Sequence, residues 1–302
     1  MTVWIAHPEG RALMGSLPPG TELEVYDGTD FPSDPAGVRF WVPPFLSSGS
    51  AVSRLSSLTG LDVVQLLSAG ADAWVNAIPD GVTLCDAGGV HDSPTAEWAA
   101  AVILAAIREL PRFVLAQAEG RWDYGPTPEL AGRRVLIVGA GSIGSALAAR
   151  LDPFGVEIVR VARTARDGVH GTGELPELLP VADIVVILVP LTPETRGLVD
   201  AAFLARMRDG ALLVNAARGP VVRTEDLYAE LASGRLRAAV DVTDPEPLPP
   251  GHPLWSAPGL LLTPHVGGSV PGLLPRAYRL VGEQLRRYAA GDPLVNVVVN
   301  GY

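Results

Sequence analysis

A chain of 302 residues with 48% hydrophobic and 19% charged residues can bury more than one core, so disordered and fibrous classes are excluded and two domains of ordinary size are expected. The formal net charge of -10, with no run of Lys or Arg to offset it, repels a phosphate backbone and argues against a nucleic-acid partner. The single cysteine, Cys85, rules out an intramolecular disulfide, and no metal site is expected.

Residues 1–10 begin apolar but meet His7, Pro8 and Glu9 before a secretory core could form. The longest apolar runs, bracketed by Glu97 and Arg108 and by Asp183 and Pro190, are too short to span a bilayer. A cytoplasmic protein with no membrane partner is expected. Strand-like runs at residues 3–6, 22–26 and 38–42 alternate with helical patterns, the order of a parallel sheet with crossover helices. Residues 62–67 read as a strand entering the turn Ser68-Ala69-Gly70-Ala71, a place where open sheets bind ligands. Residues 94–110 are apolar almost all round, with Ser93 as N-cap and Pro94 at the first helical position, which predicts a buried helix. Between residues 112 and 130 the pattern lapses and Gly120, Gly125, Pro126 and Pro128 accumulate, so an irregular excursion is expected.

A second series follows, with strands expected at residues 135–138, 157–161, 184–188, 212–215, 238–242 and 260–263, the set one dinucleotide-binding domain contains. A last helix at residues 275–290 comes after that sheet is complete and could return to the first domain. The first strand of the series leads into Gly139-Ala140-Gly141-Ser142-Ile143-Gly144 and then a helix. Gly139 permits the tight turn, Gly141 lets backbone approach a pyrophosphate, Gly144 lets the helix pack on the strand, and the helix N-terminus offers amides to phosphate. The glycines alone would also suit a structural turn or the loop of an adenosylmethionine-dependent methyltransferase. The next strand runs into Ala162-Arg163-Thr164-Ala165-Arg166. No acid stands there to accept ribose hydroxyls and two guanidinium groups can meet a 2′-phosphate, so NADP is expected over NAD.

Three later strand ends carry ionisable groups: Arg218 in Asn215-Ala216-Ala217-Arg218-Gly219, Asp241 with Glu246 five positions on, and His265 in Thr263-Pro264-His265-Val266-Gly267-Gly268. Moving a hydride between a ketone and an alcohol requires a proton donor on oxygen, and an imidazole titrating near working pH suits His265. Glu246 can hold the other ring nitrogen and favour imidazolium. Arg218 can bind a substrate carboxylate and polarise the adjacent carbonyl with its planar fork. Singly, each residue has a blander reading as a surface ion-pair partner or a structural histidine; jointly, at the carboxyl edge of one sheet, they read as a site. His7, His91, His170 and His252 have no such strand-end context. Nothing in a methyltransferase would explain the trio.

These segments resemble the D-isomer-specific 2-hydroxyacid dehydrogenase family. The resemblance rests on Leu67-Ser68-Ala69-Gly70, Thr95-Ala96-Glu97, the glycine loop, Val189-Pro190-Leu191-Thr192-Pro193-Glu194-Thr195, Asn215 to Gly219, Asp241-Val242 with Glu246-Pro247, and Pro264-His265, in the family's order over nearly the whole chain. It implies an α/β fold of two doubly wound parallel-sheet domains. One is a Rossmann-type coenzyme domain over residues 94–274; the other is a smaller flavodoxin-like substrate domain over residues 1–93 completed by 275–302. A cleft between them and a homodimer are also implied. So is a catalytic set on Arg218, Glu246 and His265, with substrate-carboxylate amides at Ser68, Ala69, Gly70 and Ala71. Cofactor contacts are implied from Gly139, Gly141, Ser142, Ile143, Gly144, Pro190 and Thr195, beside the 2′-phosphate residues Arg163, Thr164 and Arg166, and Asp241 is implied to meet the nicotinamide carboxamide. Asp241 could instead cap backbone amides. Trp122 and Trp255 are read as filling domain or dimer contacts. The bulky apolar stretch Phe40-Trp41-Val42-Pro43-Pro44-Phe45-Leu46 and Ser269-Val270 depart from the common pattern, so the keto acid stays open between glyoxylate, hydroxypyruvate, pyruvate and longer ones. The alternative is a dinucleotide-sensing corepressor-like binding protein, which the intact trio argues against.

Overall fold

The computed structural model describes residues 1–45 and 48–299, and its chain divides into two compact units, residues 1–91 with 270–302 and residues 92–269. Leu46 and residues 300–302, both included in the readings above, lie outside the described residues.

The first unit holds β1 (Thr2–Ile5), β2 (Glu22–Val25), β3 (Val38–Val42), β4 (Val63–Gln65) and β5 (Thr83–Cys85), all parallel and ordered β2-β1-β3-β4-β5. That is the order of a flavodoxin-like doubly wound sheet. Its inner strands are apolar on both faces because both are covered. In β3, Phe40 and Val42 enter one core with Val3, Ile5 and Val63, whereas Trp41 enters the other with Trp4, Val64 and Trp74. Helix Leu273–Ala290 closes the first of these cores with Leu273, Ala277, Tyr278, Val281 and Leu285, a stripe at helical spacing. Buried Gln284 donates to Gln65 Oε1 (2.9 Å) and to the Val295 carbonyl (2.7 Å), tying β4 to the C-terminal segment. Cys85 is buried here, and desolvation pushes its thiol up to about 12, which leaves it unreactive.

The second unit holds β6 (Arg134–Val138), β7 (Glu157–Ala162), β8 (His170–Gly171), β9 (Ile184–Ile187), β10 (Leu212–Asn215), β11 (Arg237–Val240) and β12 (Leu260–Leu262) in one parallel sheet, ordered β12-β11-β10-β9-β6-β7-β8. The chain reverses its direction of travel between β6 and β9, the switch point where such sheets bind ligands. Val135 and Ile137 face one core and Leu136 and Val138 the other, so β6 reads as a continuous apolar run. The strand β8 was not among those expected, since two residues carry no periodic signal.

Two boundaries differ from the sequence reading. Helix Asp92–Ile107 starts at Asp92 and belongs to the second unit, and the chain leaves that unit after Ser269, so the crossings fall at 91/92 and 269/270 instead of 93/94 and 274/275. Residues 112–118, the start of the stretch expected to be irregular, belong to the helix Leu110–Ala118. Most of its apolar side chains point outward, with Leu110, Val114 and Leu115 49%, 63% and 64% exposed and only Ala116 buried, so no burial stripe within the chain marks it. Among the described residues no helix is long and apolar enough to cross a membrane, and no group of three or more His, Cys, Asp or Glu is placed to hold a metal ion.

Candidate active site

The glycine loop leaves β6 with Gly139 at φ 119°, where a Cβ would lie 2.5 Å from the carbonyl carbon of Leu188, so only glycine fits. A Cβ on Gly144 would lie 2.2 Å from the Gly139 carbonyl oxygen; helix Ser142–Leu151 can seat against the turn because that atom is missing. Gly141 is the N-cap without a side-chain cap, and a Cβ there would meet no atom within 4 Å. This open, uncapped helix N-terminus fits the pyrophosphate of a dinucleotide. The Ser142 hydroxyl donates to Asp92 (2.9 Å), so what Ser142 and Ile143 offer the cradle is backbone.

The residues expected around the cofactor lie on both sides of the switch point. Beyond β7, Arg163, Thr164 and Arg166 are exposed, and Arg166 Nη2 reaches back to the Ala140 carbonyl (2.9 Å), across the glycine loop. The Thr192 hydroxyl chiefly, then backbone and the charge of Arg163, hold the Glu194 carboxyl below its usual range, which sets an acid near Arg163. Beyond β9, the Thr195 hydroxyl donates to the Pro190 carbonyl (2.5 Å) and accepts from the Thr192 amide (2.8 Å), closing the 190–195 turn on itself.

The strand ends of β10, β11 and β12 are level, since Asn215 pairs with Val240 and Val240 with Leu262. Just past β10, buried Asn215 accepts from the Ala217 amide (3.0 Å) and donates to the Arg218 carbonyl (3.2 Å), fixing the turn that carries Arg218. A Cβ on Gly219 would lie 1.8 Å from the Thr243 carbonyl oxygen, so the turn packs on the segment leading to Glu246. Arg218 is extended and Nη1 donates to the Ala217 carbonyl (2.7 Å).

His265 has φ 54°, the left-handed region, which costs a residue with a side chain about 1–2 kcal/mol. Its turn offsets that strain by aiming successive amides at Asp241, as in an anion-binding nest. The His265 amide donates to the Asp241 carbonyl (2.7 Å), and the Val266 and Gly267 amides donate to the Asp241 carboxylate (2.9 and 2.7 Å). The Thr263 hydroxyl donates to the same carboxylate (2.5 Å) and accepts from Trp98 Nε1 (3.0 Å). Buried Asp241 thus caps this turn, using three of the roughly four acceptor positions of a carboxylate. The His265 Nδ1 lies 2.6 Å from Glu246 Oε1, so Nε2 is the ring nitrogen left to face a substrate.

In the first unit, Ser68, Ala69 and Gly70 lie partly exposed past the end of β4, and Ala71 is buried. The Ser68 hydroxyl donates to the Gly70 carbonyl (2.9 Å), and the Ala87 amide donates to the Ser68 carbonyl (2.9 Å). His91, which has no evident context in the sequence, binds the Leu67 carbonyl through Nε2 (2.9 Å) and stacks on Phe45. Trp98 and Thr263 also escaped the sequence reading; their one cue is that Thr263 directly precedes Pro264-His265. Trp255 donates to the Pro249 carbonyl (2.9 Å) of its own proline-rich loop, and Trp122 is 91% exposed.

Residues 100–267 match the family model described as D-isomer specific 2-hydroxyacid dehydrogenase, NAD binding domain. The chain is 33% identical over 252 residues to human glyoxylate reductase/hydroxypyruvate reductase, covering 78% of this chain and 76% of that protein. It is similar, at a TM-score of 0.86 and 33% identity over 100% of both chains, to a D-isomer specific 2-hydroxyacid dehydrogenase from Xanthobacter autotrophicus Py2 in complex with NADPH and MES. It is also similar to an NADPH-dependent glyoxylate/hydroxypyruvate reductase from Sinorhizobium meliloti in complex with NADP and sulfate, at a TM-score of 0.87 and 29% identity over 100% of this chain and 99% of that one. With this family match, the switch-point cradle and the level strand ends together, the chain belongs to the D-isomer specific 2-hydroxyacid dehydrogenases, NAD(P)-dependent oxidoreductases of 2-hydroxy acids.

Proposed function

We propose that this chain is an NADP-preferring reductase of glyoxylate, hydroxypyruvate or a similarly small 2-keto acid. The observation that carries the reading is the 2.6 Å contact between His265 Nδ1 and Glu246, at the same level of the sheet edge as Arg218. The nicotinamide, when bound on the glycine cradle, supplies or accepts the hydride. Arg218 binds the substrate carboxylate and polarises the neighbouring carbonyl. His265 gives a proton from Nε2 to the carbonyl oxygen in reduction and takes it back in oxidation. Glu246 accepts from Nδ1–H, fixing the ring and the tautomer so that the mobile proton is the one on Nε2. The amides of Ser68, Ala69, Gly70 and Ala71 are assigned the substrate carboxylate as well, by resemblance. Asp241, with one acceptor position left, can meet the nicotinamide carboxamide while capping the histidine turn.

The cofactor preference rests on Arg163, Thr164 and Arg166 at the end of β7 and on the lack of an acid there, and the NADPH and NADP complexes of the two similar structures support it. Each charge-assisted contact contributes about 1.5–3 kcal/mol, so kcat/KM should favour NADPH over NADH by about tenfold or more. A panel of glyoxylate, hydroxypyruvate, pyruvate and longer keto acids with each reduced cofactor, followed at the nicotinamide absorbance, tests both parts. Arg163→Ala should weaken NADPH selectively. Equal use of NADH, or a fall for both cofactors alike, contradicts the assignment; tight NADPH binding without turnover of any keto acid would favour a dinucleotide sensor.

A homodimer in the cytoplasm is part of the same proposal. Leu110, Val114, Leu115, Trp122 and Tyr124 form a run of exposed apolar side chains, with Trp122 and Tyr124 91% and 87% exposed. Aromatic residues exposed this far are costly in a monomer and typical of a protein interface. Sedimentation should give a dimer for the parent and a monomer for Leu115→Asp with Trp122→Ser; a monomeric parent refutes the dimer.

A further inference from the structure

We propose that Trp98 and Thr263 are positioning residues for His265, acting through Asp241. The inference rests on the reading of His265 as the proton donor. An indole nitrogen can only donate, so the 3.0 Å contact from Trp98 Nε1 obliges Thr263 Oγ1 to accept there. The single hydroxyl proton of Thr263 is then committed to Asp241 Oδ1, 2.5 Å away. That oxygen also takes the Val266 amide, and Oδ2 takes the Gly267 amide, so the carboxylate is held at both oxygens and cannot rotate.

His265 needs that fixed acceptor. Its left-handed backbone persists because the amides that follow it have a partner, and those amides set the direction in which the ring leaves the turn. Trp98 supplies the anchorage: it lies on helix Asp92–Ile107, 165 positions away in sequence, whose Ala96, Ala99, Ile103 and Ile107 are fully buried against the sheet of the same unit. Its indole also covers the turn, since a Cβ on Gly267 would lie 3.4 Å from Trp98 Cγ. The chain of contacts runs from a rigid helix through one hydroxyl to one carboxylate, and from there to the backbone on either side of the proton donor.

The test is a double-mutant cycle on the full-length enzyme, with glyoxylate turnover and NADPH binding by fluorescence as separate readouts. Thr263→Val keeps the shape and removes the hydroxyl; kcat should fall about ten- to a hundredfold, the scale of a misplaced catalytic group, while the NADPH dissociation constant and the thermal midpoint stay near the parent's. Thr263→Ser restores the hydroxyl and should recover most of kcat. Trp98→Phe keeps the ring over the turn and should lower kcat less, and should add nothing in the Thr263→Val background, because both changes cut one path. Parental kcat in Thr263→Val, additive losses in the double mutant, or a joint fall in kcat, NADPH affinity and melting temperature that Thr263→Ser does not recover would each overturn the proposal. His265→Gln measured alongside separates the two readings. If it is inactive and Thr263→Val is not, only the positioning role fails; if it keeps turnover, the role of His265 itself fails.

Discussion

His265→Ala is expected to lower turnover by about 10²–10⁴-fold, the range that a positioned proton donor supplies. NADPH affinity should be nearly unchanged. The separation follows from where the residue stands: the histidine ring extends from the turn after β12, whereas the cradle proposed for the pyrophosphate lies at Gly139, Gly141 and Gly144 after β6. The backbone of the turn should survive the change, because Asp241 holds the amides of residues 265, 266 and 267 and none of those contacts involves the imidazole. Steady-state kinetics with an NADPH titration reads both quantities. Near-parental turnover in a folded variant would remove His265 from the mechanism.

Arg218→Lys is expected to keep the positive charge and still lose about ten- to a hundredfold in kcat/KM, the value of one charge-assisted hydrogen bond of about 1.5–3 kcal/mol. A compact ammonium cannot engage a carboxylate and the adjacent carbonyl together, as a planar fork can. The turn is held by Asn215 and by the close approach of Gly219 to Thr243, and the guanidinium adds only its contact with the neighbouring Ala217 carbonyl (2.7 Å), so the fold and NADPH binding should be retained. A kcat/KM equal to the parent's would show that one point charge suffices and would defeat the two-pronged role.

The inner parallel strands were legible because they are buried on both faces and read as apolar runs, as in Ile184-Val185-Val186-Ile187. The returning helix was legible at residues 275–290 from its place after the completed sheet, and the stripe of Leu273, Ala277, Tyr278, Val281 and Leu285 is what seats it on the first unit. Helix Leu110–Ala118 was not, because its exposed Val114 and Leu115 point away from the core of the chain. Within the site, the glycines and the strand-end Arg218, Glu246 and His265 carry local signals: each follows an apolar run, and the chemistry asks for those side chains. Trp98 and His91 carry none, and Thr263 only its place directly before Pro264-His265. Their roles lie in contacts such as Trp98 to Thr263 and His91 to Leu67, which bring together residues far apart in the chain, and a side chain that serves another side chain leaves no spacing to read. Asp241 was visible as a strand-end acid open to two roles, and the geometry places its carboxylate on the histidine turn.

In the proposed reaction a hydride passes between NADPH and C2 of a small 2-keto acid. Incubating the protein with glyoxylate and NADPH stereospecifically deuterated at nicotinamide C4, on one face and then on the other, tests this by following the label into the product. Glycolate carrying one deuterium at C2 is expected from one of the two cofactors and none from the other, with one NADPH consumed per glycolate formed. Unlabelled product from both, or no NADPH oxidation with glyoxylate, hydroxypyruvate or any other small 2-keto acid, would contradict it.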